Sequence, residues 1–292
     1  MTPSVLVLGA TGTLGPHLVA AARRRSIGVL ATARQAAPQC LAFTLGRDAP
    51  GAWLDSLPGR PAAALICAAE SGIDRCRTDP AAAAINGEAT CELIAALVDR
   101  GILPVFYSTD LVFAGQPGEA PGGYRESDPC CPGTAYGRQK LAAETMLRSL
   151  GNEHLILRLA KLYAGNADDH SPLAQWCQAF ARRQPVRCAT DQWLTPTWAG
   201  DVAEITFRLL ETGCRGTLHV AATESYTRYD LARRMAENWG FDPALVEACS
   251  IADFAFAEPR PPDNRLNTDA LRARLDFRFR QVSCLPSDLT FA

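Results

Sequence analysis

The stretch Val5-Leu6-Val7-Leu8-Gly9-Ala10-Thr11-Gly12-Thr13-Leu14-Gly15-Pro16 decides the fold. Its apolar run shows no polar alternation, which is the pattern of a strand covered on both faces. Three glycines follow at once, and Pro16 then stands where a helix can begin, a position at which its missing N–H costs nothing. A strand, a glycine turn and a helix N-terminus together aim backbone N–H groups and the positive end of a helix dipole at a pyrophosphate. The candidate cofactor contacts are therefore Gly9, Thr11, Gly12, Thr13, Leu14 and Gly15.

The same rhythm continues outward from this unit. Further strands are expected at Gly28–Ala33, Leu41–Leu45, Ala62–Cys67, Pro104–Tyr107 and Leu155–Arg158, with helical stretches at Pro16–Arg25, Pro80–Arg100 and Tyr136–Leu150. Apolar strands alternating with helical crossovers define an α/β fold, a Rossmann-type doubly wound parallel sheet. After about residue 165 the pattern loosens into helices at Ser171–Arg183, Asp201–Glu211 and Arg228–Trp239 with proline-rich connections. Residues 1–165 read as a dinucleotide-binding domain and residues 166–292 as a smaller, mainly C-terminal substrate lobe with some return to the sheet.

Composition narrows the function. The 292 residues are 48% hydrophobic and 21% charged with a net charge of -2, so the chain folds and has no basic field for nucleic acid. Its 11 cysteines include no CxxC pair and keep company with only four histidines, so no metal site is expected and the thiols read as reduced packing residues. The N-terminus lacks the pattern of a signal peptide, and no apolar run reaches the roughly 20 residues of a membrane span. A cytoplasmic protein without a membrane partner is the expectation.

Two further stretches carry chemistry. The second strand ends Ala31-Thr32-Ala33-Arg34, with an arginine where a carboxylate would bind the ribose hydroxyls of NAD(H). Arg34 either pairs a 2′-phosphate, favouring NADP(H), or is simply solvated. Tyr136-Gly137-Arg138-Gln139-Lys140 sets a phenol and an ammonium on one helix face, where the lysine is expected to lower the tyrosine pKa and make it a usable proton donor. About thirty residues earlier, Tyr107-Ser108-Thr109-Asp110 ends a core strand, the place where an open α/β sheet presents its ligand-facing groups.

Gly9–Gly15, Ser108-Thr109-Asp110-Leu111-Val112-Phe113 with Gly115, and Tyr136–Lys140 together resemble the extended short-chain dehydrogenases/reductases, and in detail the dTDP-4-dehydrorhamnose reductase family. Further matches are Ala68-Ala69 with Asp74 and Asn86, Glu126 with Asp128 and Pro132, Arg158 ahead of Tyr163, Asp191-Gln192 before Thr195-Pro196-Thr197, and Arg260-Pro261-Pro262 before Arg265-Leu266. The resemblance implies NADP(H)-dependent reduction of a ketone on a nucleotide-linked deoxysugar. Tyr136 would protonate the developing alkoxide, Lys140 would hold the cofactor, Thr109 would bond the same oxygen, and Asp110 would be the acid beside the sugar. Ala68 and Ala69 would line the cofactor, and Arg260 and Arg265 would meet the diphosphate. The chain departs from the family at Lys161, where a tryptophan is usual, and at Trp193-Leu194 in the Asp-Gln loop; both positions fall on the substrate side. Related dehydratases carry Asp-Glu after the threonine, whereas Leu111 follows Asp110 here. Alternatives are an epimerase or carbonyl reductase using the same Tyr136/Lys140 pair, or a non-catalytic cofactor-binding partner such as the regulatory subunit of methionine adenosyltransferase. A homodimer is expected, dimers being the commonest soluble assembly.

Overall fold

The computed structural model describes residues 4–35, 38–165, 169 and 171–282. The first half contains β1 (Ser4–Leu8), α1 (Gly15–Arg24), β2 (Gly28–Ala33), β3 (Cys40–Ala42), α2 (Pro50–Asp55), β4 (Ala63–Ile66), α3 (Ile73–Thr78), α4 (Pro80–Ala84), α5 (Thr90–Asp99), β5 (Leu103–Thr109) and α6 (Ala135–Ser149). Then come β6 (Leu155–Leu159), β7 (Leu162–Tyr163), α7 (Pro172–Ala181), β8 (Val186–Ala189), β9 (Trp193–Leu194), β10 (Thr197–Trp198), α8 (Ala199–Glu211) and β11 (Gly216–Val220). The last elements are β12 (Tyr226–Thr227), α9 (Arg228–Asn238), β13 (Val246–Cys249) and α10 (Asp269–Arg272).

Seven strands form one sheet in the order β11-β6-β5-β4-β1-β2-β3, and every neighbouring pair is parallel. Alternate side chains explain why both faces are covered. Val5 and Val7 of β1 pack under α1 and α8, whereas Leu6 and Leu8 face the other way onto Leu93, Ile94 and Leu97 of α5 and Ala143 and Leu147 of α6. The order reverses between β1 and β4, so the carboxyl ends of β1, β4 and β5 face the crevice where such sheets take ligands.

The expected strand at Leu41–Leu45 is instead the shorter β3 at Cys40–Ala42, because Phe43 and Leu45 turn into the core against β1 and α5. The seventh strand, β11, lacks an apolar signature because Gly216, Thr217 and His219 interrupt it, yet it pairs with β6 along its length. The expected helix at Pro80–Arg100 is broken by a π turn at Ile85–Ala89. Counted as one helical run, Pro80–Asp99 reaches 20 residues at mean hydropathy 1.4, long and apolar enough to cross a membrane, which the sequence reading had excluded. It packs with one face buried by Leu93, Ile94, Ala96 and Leu97, as a core helix does. A second core, with Leu173, Phe180, Leu231 and Met235, holds α7 and α9 beside the parallel pair β8–β13.

Candidate active site

The glycine turn fits its expected role by steric necessity. Gly9 has φ +84°, and a Cβ there would meet the Ala68 amide nitrogen at 2.9 Å; one on Gly15 would stand 2.4 Å from the Gly9 carbonyl oxygen. The turn is therefore pressed between α1 and the end of β4, with Ala68 and Ala69 beside it. Its amides are partly committed: Gly12 N–H donates to the Gly9 carbonyl at 3.1 Å, and Gly9 N–H to the Thr32 hydroxyl at 3.2 Å. Leu14, the N-cap of α1, makes no side-chain capping bond, so the positive end of that helix stays open toward the crevice. Arg34 follows β2 at the same edge of the sheet, exposed; among the described residues only its carbonyl is engaged, by the Thr44 hydroxyl at 3.0 Å.

The structure brings Thr109, Asp110, Tyr136 and Lys140 together. Thr109 is the last residue of β5, and its hydroxyl donates to the Asp110 carboxylate at 3.0 Å while accepting from Leu111 N–H at 3.2 Å. Tyr136 stands in the first turn of α6, whose N-cap Thr134 accepts from Gly137 N–H. Gly137 lets α6 approach the Asp110–Val112 turn closely, since a Cβ there would lie 2.1 Å from the Leu111 carbonyl oxygen. One turn on, Lys140 is buried, with Nζ donating to the Tyr107 carbonyl at 2.9 Å and lying 5.9 Å from the Tyr136 ring centroid.

Electrostatics at this cluster depart from the sequence expectation in one respect. Burial pushes the Tyr136 phenol well above its ordinary range, with Cys76, Asp110 and Glu70 adding to the rise. Lys140 does not counteract this in the protein alone, because its ammonium is aimed at the Tyr107 carbonyl. Burial lowers Lys140 itself to about 8 and raises Asp110 to about 6, against opposing pulls from the Thr109 hydroxyl and Lys161.

Behind the cluster lies a buried network that the sequence reading did not assemble. Glu144, fully buried on α6, accepts from Ser108 Oγ at 2.5 Å and from Arg158 Nη2 at 2.8 Å, and Arg148 reaches the same carboxylate. Ser108 sits between Tyr107, whose carbonyl takes Lys140, and Thr109, so this network holds both anchors of the cluster. Its traces in the sequence are the i, i+4 spacing of Glu144 and Arg148 and the presence of Arg158 on β6. The π turn is a second feature the sequence hid: it points Asn86 at the Glu70 backbone, accepting from its N–H at 2.9 Å and donating to its carbonyl at 2.8 Å, and at Gln139 Oε1 at 2.9 Å.

On the substrate side the expected residues divide. Trp193 lies under Arg265, whose guanidinium is 4.2 Å from the ring centroid and also pairs with Asp263 at 2.6 Å. Arg260 is drawn to Asp74 at 2.9 Å and stacks over Phe256. Glu258, missed at the sequence level, accepts from Ala135 N–H at 2.8 Å and pairs with Arg138 at 3.0 Å. The segment from Ala257 to Arg265 thus runs from α3 past the start of α6 to β9, strapping the two halves of the chain together. Lys161 is exposed to the cleft yet surrounded by protein; that enclosure, and next the Arg228 charge, lower its ammonium.

A family model described as the RmlD substrate binding domain matches residues 3–283. The chain belongs to that family, the dTDP-4-dehydrorhamnose reductase-like proteins. Among family members, it is 37% identical to a probable low-salt glycan biosynthesis reductase of Haloferax volcanii over 72% of this chain and 70% of that one. It is 34% identical to a dTDP-4-keto-6-deoxy-D-glucose reductase of Streptomyces niveus, over 93% and 91% of the two chains. In fold it superposes on the dTDP-4-dehydrorhamnose reductase of Bacillus anthracis, solved in complex with NADP, with TM-score 0.83 at 23% identity over 96% and 95% of the chains.

Proposed function

We propose that the protein is an NADP(H)-dependent reductase of a keto group on a nucleotide-linked sugar, of the dTDP-4-dehydrorhamnose reductase kind. The observation that carries this reading is the convergence of Thr109, Asp110, Tyr136 and Lys140 at the carboxyl end of β5, facing a glycine turn at the end of β1. The reductase names of the Haloferax and Streptomyces relatives support it.

The turn suits a dinucleotide pyrophosphate: the Cβ-free surface of Gly9 and Gly15 and the uncapped start of α1 form a cradle for an anion. Gly9, Thr11, Gly12, Thr13, Leu14 and Gly15 would hold the pyrophosphate, Arg34 the 2′-phosphate, Ala68 and Ala69 the adjoining ribose, and Lys140 the nicotinamide ribose. When bound, the reduced nicotinamide supplies a hydride. Thr109 and Tyr136 then act on the carbonyl oxygen, Thr109 by hydrogen bonding and Tyr136 by giving up its phenolic proton as the alkoxide forms. Lys140 would favour the phenolate that remains once its ammonium turns from the Tyr107 carbonyl toward the phenol in the loaded enzyme. Asp110, at about 6 and bonded to Thr109, is a second acid beside the sugar. Residues 1–165 would bind the nucleotide cofactor and residues 166–292 mainly the sugar nucleotide, with β11 returning to the sheet and Thr109, Tyr136 and Lys161 reaching the sugar from the first part. We place the enzyme in the cytoplasm as a homodimer, with no nucleic-acid or membrane partner, in keeping with its near-neutral charge.

The test is NADPH oxidation with a panel of 4-keto nucleotide sugars. Turnover is expected, and Tyr136→Phe should lower kcat by about 100-fold or more while leaving NADPH affinity unchanged. Tight NADPH binding without turnover on any panel member would refute the reductase assignment.

A further inference from the structure

Of the 29 basic residues in the chain, only Lys140 and Lys161 are lysines. Wherever a plain surface cation serves, this sequence uses arginine, so its two lysines mark positions with a particular requirement. Lys140 is explained by its bond to the Tyr107 carbonyl. Lys161 is not explained by the fold: its side chain has no hydrogen bond or ion pair among the described residues. Strand register locates it. Thr109 of β5 stands opposite Leu159 of β6, so Lys161, two residues further on, emerges one strand over from the Asp110 turn.

Arg228, the first residue of α9, is the second anomaly. Its Nη1 donates to Gln192 Oε1 at 3.2 Å, and no carboxylate pairs with it among the described residues. Every other part-buried arginine in the described chain has a carboxylate partner, as Arg158 has Glu144 and Arg260 has Asp74. A guanidinium taken partly out of water without a counter-ion is unfavourable, and such groups are retained where a ligand supplies the missing charge. The opposing groups do not neutralise it. Asp169 is spent on the amides of Ala164, Gly165 and Ser171, and Asp110 belongs to Thr109. The Arg260 charge adds to the positive field there. Gln192 also donates to the Pro261 carbonyl at 3.2 Å, which joins Arg228 to the strap that crosses the cleft.

We propose that Arg228 and Lys161 together form the subsite for an oxyanion of the sugar nucleotide, either a diphosphate oxygen or a carboxylate on the sugar. On this assignment Arg260 and Arg265 are structural: their guanidinium groups clasp the strap through Asp74 and Asp263. The proposal rests on the nucleotide-sugar reading above and replaces the arginines that the sequence favoured for this contact.

Calorimetric titration of the NADPH-saturated protein with dTDP, dTDP-glucose, UDP-glucose and UDP-glucuronate tests it, using Arg228→Gln and Lys161→Gln. Each variant is expected to weaken binding about 10-fold or more, with NADPH affinity intact. Equal losses for all four probes assign the diphosphate as the source; a loss confined to UDP-glucuronate assigns a sugar carboxylate. Unchanged affinities in both variants would overturn the subsite. If Arg228→Gln melts early, Lys161→Gln decides alone, because among the described residues its side chain makes no hydrogen bond or ion pair. Wild-type protein that binds none of the four probes would instead overturn the nucleotide-sugar reading.

Discussion

Gly137 lies so close to Leu111 that a Cβ on the glycine would come within 2.1 Å of the leucine carbonyl oxygen. That contact sets the distance between the start of α6, which carries Tyr136, and the end of β5, which carries Thr109. The glycine of the Tyr-Gly-x-x-Lys pattern is therefore a spacer of zero width. Alanine should restore roughly 1 kcal/mol of helix propensity but force the turn and helix apart, for a net loss of about 1–3 kcal/mol. Gly137→Ala is expected to melt at lower temperature and to lose kcat about 100-fold, since small misplacements at reacting groups are amplified in rate. A melting curve and steady-state kinetics check both.

The Glu144–Arg158 pair is buried on both sides, with side-chain exposure of 0% and 2%. Glu144→Gln leaves the Arg158 charge uncompensated and should cost about 3–5 kcal/mol in a urea titration. Ser108→Ala leaves the ion pair whole and removes one charge-assisted hydrogen bond, for a loss of about 1–3 kcal/mol. A near-equal effect of the two substitutions would show that the ion pair is not the main element.

Two groups of the cluster should make opposite marks on stability as pH changes. Lys140 falls from its usual 10.5 to about 8 in the folded chain, so between about 8 and 10 the unfolded chain holds the extra proton and stability rises with pH. Asp110 rises from 3.8 to about 6, so between about 4 and 6 the folded chain holds the extra proton and stability falls as pH increases. Lys140→Met should therefore be more stable than wild type at pH 7, with the gap closing toward pH 10. Asp110→Asn should remove the decline between pH 4 and 6. Chemical denaturation of the cofactor-free proteins across pH 4–10 measures both.

Arg34 is expected to set cofactor preference, because it is exposed at the end of β2 with its guanidinium unpaired among the described residues. Arg34→Ala should raise KM for NADPH by about 10-fold or more and leave KM for NADH unchanged, the value of one charge-assisted phosphate contact. Wild-type enzyme with equal KM for both cofactors would contradict this.

Much of the fold was legible in the chain because the decisive elements are local. The run Val5–Leu8 into Gly9–Gly15 is a strand, turn and helix start within twelve residues, and each conformation follows from residue type alone. Tyr136 and Lys140 share a helix face for the same reason. Elements without a local signal were harder: β11 pairs only because β6 presents an open edge, and the π turn at Ile85–Ala89 follows from the partners Asn86 finds in Glu70 and Gln139.

The sequence by itself therefore determined the α/β class, the glycine turn and the placing of the proposed reacting groups on one strand end and one helix face, each a matter of propensity and short spacing. Tertiary structure decided how those groups are charged and which cations are free. Burial, which no spacing encodes, raised Tyr136 and Asp110 and lowered Lys140. The fate of the arginines depended on partners far away in the chain: Asp74 engages Arg260 from 186 positions upstream, while among the described residues the Arg228 guanidinium bonds only Gln192. Ion pairing depends on proximity in space, and only the folded chain brings those residues together.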